Sequence, residues 1–148
     1  MKIITALLLI GMMSMGGCAT GVVMYSKLPQ IQGDDFSTVK IVRERRLVLE
    51  GLAFTIQFNG KDLLPIKSGE CVGFKIPTGQ SEIGLSSTTY LTDEPVVKGI
   101  KFMAERGKEY YFYVRAEAGK SRTEFKQLSH DEWLKKDKNC DWIVLEEQ

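Results

Sequence analysis

The sequence predicts an all-β domain: a small antiparallel β-sandwich with one short C-terminal helix, preceded by a signal peptide. Three observations point there. Short segments of period-two hydrophobicity recur between turn signals, at spacings of about 8–12 residues. One stretch, beginning at Ser129, carries the chemistry of a helix start. The first residues are apolar, but over a run too short to span a bilayer.

The elements follow in order. Thr38 to Leu49 is rich in Val, Ile and Leu, interrupted by Arg43-Glu44-Arg45-Arg46. Leu52, Phe54, Ile56 and Phe58 alternate with Ala53, Thr55 and Gln57, which gives one apolar face. Asn59-Gly60 is a strong two-residue hairpin signal. Lys61 to Ile66 is a poorer strand, broken by Pro65, and Ser68-Gly69 turns the chain again. Glu70 to Ile76 puts Val72, Phe74 and Ile76 on one face, with Cys71, Gly73 and Lys75 on the other. Pro77-Thr78-Gly79 makes the next turn, and Gln80 to Ser86 places Ile83 and Leu85 inward.

Ser86 to Pro95 reads as a polar loop. Val96 to Ala104 sets Ile100, Phe102 and Ala104 against Lys101 and Met103. Arg106-Gly107-Lys108 is a turn. Glu109 to Ala116 is the clearest strand: Tyr110, Phe112 and Val114 face one way, Tyr111, Tyr113 and Arg115 the other. Gly119 breaks it, and Ser121 to Leu128 is a further strand. Ser129-His130-Asp131-Glu132 fits a capping box, with Leu128 and Trp133 at the staple positions, for a helix to Lys136. Asp137 to Asp141 is a loop, and Trp142 to Leu145 a candidate last strand. Strands of this alternating kind need antiparallel neighbours, because parallel crossovers require intervening helices and none is visible.

The N-terminus reads as an address. Lys2 is the only charge before Lys27, and small residues follow the apolar run. Met15-Gly16-Gly17-Cys18 then resembles a bacterial lipobox, with Met15 in place of the usual Leu. That resemblance implies diacylglycerol on the Cys18 sulfur and Cys18 as the first mature residue. Ala19, a residue other than Asp, implies outer-membrane sorting with the body in the periplasm. The expected organisation is a leader over 1–17, a lipidated tether over 18–37 and the sandwich over 38–148.

Turn residues carry a second resemblance. They are Val42-Arg43-Glu44, Phe58-Asn59-Gly60-Lys61, Ser68-Gly69-Glu70, Ile76-Pro77-Thr78-Gly79, the run from Glu105 to Tyr111, and Leu128-Ser129. From Val39 to Lys136 the chain resembles the bacterial lipoprotein family catalogued as domain of unknown function 2846, and the wider PEGA-like group. The resemblance implies an Ig-like or transthyretin-like sandwich tethered by lipid, with no established catalytic residue to carry over. The family's second Pro and following His are replaced here by Thr78 and Gln80.

Composition narrows the function. Lys plus Arg number 20 and Asp plus Glu 19, and loss of Lys2 with the leader leaves 19 of each. A nucleic-acid partner, which calls for a basic excess, is not expected. One His and three Cys in no paired spacing predict neither a metal site nor a cofactor. His130 reads as an exposed first-turn residue rather than a base, since Asp131 and Glu132 adjoin it only in sequence. With Cys18 lipidated, Cys71 and Cys140 remain; an oxidising compartment favours pairing them, and two separate thiols are the alternative. Arg43, Arg45 and Arg46 read as a solvated strand, or as a patch for an anionic lipid or polymer. Tyr111, Tyr113 and Arg115 form a stripe that suits a protein partner, cross-strand pairing or a position beneath the C-terminal tail. Asp34-Asp35 and Asp93-Glu94 read as solvated pairs.

The function expected is a non-enzymatic binding or structural module, held at the membrane by acyl chains and acting on an envelope partner. The alternatives are an envelope hydrolase, and an inhibitor or immunity-type protein presenting the loop Ser86 to Pro95. No paired carboxylates or activated Ser in the sequence favour the hydrolase.

Overall fold

A computed structural model describes residues 28–46, 53–87, 98–116 and 123–145. The lipobox residues Met15, Gly16, Gly17 and Cys18, the pair Asp93-Glu94 and most of the loop Ser86 to Pro95 lie outside the described residues.

The described strands are β1 (Phe36–Arg43), β2 (Phe54–Phe58), β3 (Lys61–Ile66), β4 (Glu70–Pro77), β5 (Gly79–Ser86), β6 (Lys98–Ala104), β7 (Glu109–Ala116), β8 (Thr123–Leu128) and β9 (Asp141–Trp142). One helix, α1 (His130–Lys136), follows β8, and a single 3₁₀ turn, Asp137–Asn139, leads to β9. Sheet A has the order β8-β7-β1-β4-β9, and sheet B the order β3-β2-β5-β6. The two sheets pack as the expected β-sandwich.

Two pairings depart from the antiparallel expectation. β1 runs parallel to β7, with Ile41 opposite Phe112, and β9 runs parallel to β4. The premise that a parallel return needs a helix fails in a two-sheet fold. The chain leaves β1 for β2 and β3 in sheet B, comes back to sheet A as β4, crosses again to β5 and β6 in sheet B, and returns to sheet A at β7 on the other side of β1. The second sheet serves as the crossover.

The interior is built from one face of each strand. Val39, Ile41, Phe54, Ile56, Val72, Ile76, Ile83, Leu85, Phe112 and Val114 form its centre. Each such side chain contributes about 1.5–3 kcal/mol by leaving water. Pro65 does not break β3, which pairs with β2 over Lys61–Ile66. β3 is an edge strand, where a missing N–H is tolerated. The register shifts between Ile56 and Gln57, so Leu63 is an extra residue, and both Leu63 and Leu64 are buried.

Boundaries moved where tertiary contacts intervene. β1 begins at Phe36, and Leu28 already packs on the main core, so docking starts within the expected tether. β1 stops at Arg43 rather than Leu49; residues 44–46 are irregular, and 47–52 lie outside the described residues. The last strand is two residues, Asp141–Trp142, rather than Trp142 to Leu145.

Asn59 and Gly60 have φ of 48° and 76°, the left-handed pair that a two-residue hairpin between Phe58 and Lys61 demands. Nothing stands within 4 Å of a Cβ built on Gly60, so a side chain there meets no clash and only backbone strain. Gly60→Ala is therefore expected to lower the unfolding free energy by about 1–2 kcal/mol. Chemical denaturation checks this; an unchanged midpoint would contradict the assigned turn.

Candidate functional site

Sheet A carries large residues on its outward face as well as its inward one. The outward positions are Lys40 and Val42 in β1, Cys71 and Gly73 in β4, and Tyr111, Tyr113 and Arg115 in β7. Tyr111 and Tyr113 are only 8% and 2% exposed. With Val42, Cys71, Leu128 and Trp133 they make a second core. Of the readings left open for Tyr111, Tyr113 and Arg115, the two tyrosines take the one beneath the C-terminal segment, and Arg115 lies half-buried at its rim.

The cover is α1. Ser129 Oγ accepts from the Glu132 N–H at 3.3 Å, and the Glu132 carboxylate accepts from the Ser129 N–H at 2.9 Å. These bonds satisfy two N-terminal donors of a helix too short to persist alone. Leu128 and Trp133, one before the cap and four residues into the helix, both turn down onto the tyrosines. The Trp133 ring centre is 5.4 Å from that of Tyr111.

A clasp holds the cover down. Cys71 and Cys140 form a disulfide across 69 residues, with Cα atoms 5.6 Å apart. The chain then lies along β4. The Asp141 N–H donates to the Gly69 carbonyl and the Ile143 N–H to the Cys71 carbonyl, both at 2.8 Å. Arg45 reaches over Gly69 to pair with Asp141 at 2.6 Å, an exposed pair worth little by itself. Trp142 lies over Gly73, and its ring centre stands 6.4 Å from that of Trp133. Ile143 and Leu145 turn inward onto the main core.

Polar groups rim this second core. The Tyr111 hydroxyl donates to Glu109, and Lys40 Nζ meets the same carboxylate at 2.8 Å. Those two donors hold the Glu109 carboxyl below its usual value. Burial first, and then the bond to Glu109, push the Tyr111 phenol up to about 12. Burial first, and then a hydrogen bond to Glu44, raise the Tyr113 phenol well above the ordinary value. Lys136 Nζ stands 4.7 Å from the centre of the Tyr113 ring. Arg115 is half-buried, with Nε 3.3 Å from Glu44, which also takes Arg46 at 3.0 Å.

Arg43 corrects the reading of a solvated arginine strand. It closes the inward face of β1 and is 1% exposed. Its guanidinium lies 4.6 Å from the Phe54 ring centre and donates from one Nη to the Ile66 carbonyl at 2.8 Å. Burial lowers its pKa to about 10, against the pull of Glu70. With Arg43 interior, Arg45 on Asp141 and Arg46 on Glu44, the three do not form one basic patch.

His130 is exposed, as expected, and stacks on Tyr111 with ring centres 5.3 Å apart. Asp35 accepts from the Thr78 hydroxyl at 2.9 Å. Among the described residues no group of three His, Cys, Asp or Glu is placed to hold a metal ion. Open depressions mark the described surface. One of about 180 Å³ is lined by Asn59, Gln80, Ser81, Glu82 and Lys101, and a broader one of about 660 Å³ by Asp131, Leu134, Lys135, Asp137 and Lys138. No family model matches the chain, and no curated protein or solved structure does.

Two outcomes follow from the clasp and the buried phenols. Thiol labelling of the denatured, unreduced chain is expected to leave Cys71 and Cys140 unlabelled, and reduction to remove about 4 kcal/mol of stability by the loop-entropy relation. Two reactive thiols at those positions would contradict the bridge. In an alkaline titration followed at 295 nm, Tyr111 and Tyr113 are expected to ionise last. A phenol whose folded pKa is raised supports the fold below its unfolded value near 10, and that support is lost as pH climbs from there towards 12. Tyr113→Phe should therefore flatten the alkaline fall in stability; an unchanged fall would refute the assignment.

Proposed function

We propose that the chain is a lipid-anchored envelope lipoprotein, and that its sandwich acts as a non-enzymatic binding or structural accessory module. The observation that carries this is Met15-Gly16-Gly17-Cys18 behind a short apolar leader with Lys2 at its start. In this reading Cys18 bears the acyl chains. Each buried CH₂ adds about 0.8 kcal/mol, and more than one chain gives stable anchoring. The Cys71–Cys140 bridge supports the same location, because structural disulfides belong to oxidising compartments. Ala19 favours the outer membrane, with the body facing the periplasm.

The anchor also sets the working distance. About ten residues separate Cys18 from Leu28, where the chain packs on the body, a reach of at most about 35 Å. Such a module works on partners at the membrane, where tethering raises its effective concentration. An envelope protein is the partner this reading names.

Cys18→Ala is expected to move the protein from the membrane fraction to the soluble fraction and to abolish added acyl mass. Membrane retention unchanged by the substitution would overturn the anchor, and with it the location.

A further inference from the structure

We propose that the C-terminal strap and α1 form the side of the body that rests on the bilayer, with Trp142, Val144 and Leu134 entering the lipid interface. The inference rests on the anchor reading and adds an orientation to it.

The described residues expose four large hydrophobic side chains: Met103, Leu134, Trp142 and Val144. Met103 lies on β6 of sheet B. The other three fall within the last dozen described residues, at 46%, 46% and 66% exposure for Leu134, Trp142 and Val144. Their placement is systematic. Along the strap Ile143 and Leu145 pack on the main core, so Trp142 and Val144 alternate to the outside. Leu134 follows Trp133, whose ring edge meets Trp142 and so sets helix and strap side by side. Trp142 and Val144 thus share the outer side of the strap, and Leu134 is exposed on the helix beside it; exposed apolar side chains on neighbouring elements mark an interaction surface.

Charge and reach favour a bilayer as the occupant. Basic side chains on and beside sheet A are paired with carboxylates: Lys40 with Glu109, Arg45 with Asp141, Arg46 and Arg115 with Glu44, Lys126 with Glu124. Lys135 and Lys138 line the depression around Leu134 and flank it. Long lysine stems beside apolar groups suit the headgroup region, where the amines reach water. Indole rings also favour that region. Asp131 and Asp137 share the depression around Leu134, so the local charge is nearly balanced and apolar contact leads. The surface therefore suits zwitterionic lipid. The short tether holds the body within reach of the membrane, so a contact too weak to bind alone still orients it.

The test uses the full chain as purified from membranes, placed in phosphatidylcholine vesicles with brominated acyl chains, and its mass is read on the same sample. Trp133 is buried and Trp142 exposed, with ring centres 6.4 Å apart, so Trp142 is the reporter and its signal is taken as the difference between the parent chain and Trp142→Phe. Brominated lipid is expected to quench part of the emission. Trp142→Phe is expected to abolish the quenched part. A double variant, Leu134→Glu with Val144→Glu, is expected to reduce quenching severalfold while the protein still pellets with vesicles. Emission unaffected by brominated lipid in a chain that carries acyl mass overturns the orientation and leaves the anchor standing. Absence of acyl mass overturns the anchor; quenching that persists then shows the surface binding lipid by itself, and quenching that is also absent removes both.

Discussion

β1 lies inside sheet A with Val39 and Ile41 on one side and Val42 on the other, and its neighbour β7 sets Phe112 and Val114 against Tyr111 and Tyr113 in the same way. A sheet that is apolar on both faces exposes one of them unless two layers cover it. Sheet B covers the inner face. The outer face has seven residues of helix and a short strap, too little chain to hold itself down by burial alone. The disulfide, the capping box and the Trp133 side chain compensate. The bridge starts from Cys71, inside the second core, and ends where the helix gives way to the strap. Position, covalent link and packing thus act on one small element.

The same element gives the body its asymmetry. The strap closes the β4 edge with two backbone hydrogen bonds and sends Ile143 and Leu145 into the main core. Its opposite side shows Trp142 and Val144 to solvent. An edge strand left open invites pairing with other chains, and a covalently held strap limits that at the Gly69 to Cys71 end of β4. Under the proposed orientation, the strap protects the edge with one side and turns the other to lipid.

Most of the strand pattern was legible in the sequence because alternation and turn residues are local signals. Asn59-Gly60, Ser68-Gly69 and the capping box at Ser129 stand where their chemistry placed them. What escaped was set by distant contacts. The parallel β1–β7 pair depends on the order in which two sheets are built, which no local window contains. Arg43 carries the charge of a surface residue, yet the Phe54 ring and the Ile66 carbonyl receive it in the interior. Tyr111 and Tyr113 looked like a surface stripe because their cover comes from a segment about twenty residues further on. The staple pair Leu128 and Trp133 was the available clue, since a short helix with a large apolar residue must bury it against something. Pro65 was misread for want of one fact, that β3 is an edge.

The disulfide clasp holds α1 and the strap as a roof over sheet A. Amide hydrogen exchange, followed residue by residue in oxidised and reduced protein, tests it most directly. Reduction should speed exchange at Trp133 and Ile143, while Val39, Ile41 and Phe112 keep their protection because sheet B still covers them. Exchange in α1 and the strap that ignores the redox state of Cys71 and Cys140 would contradict it.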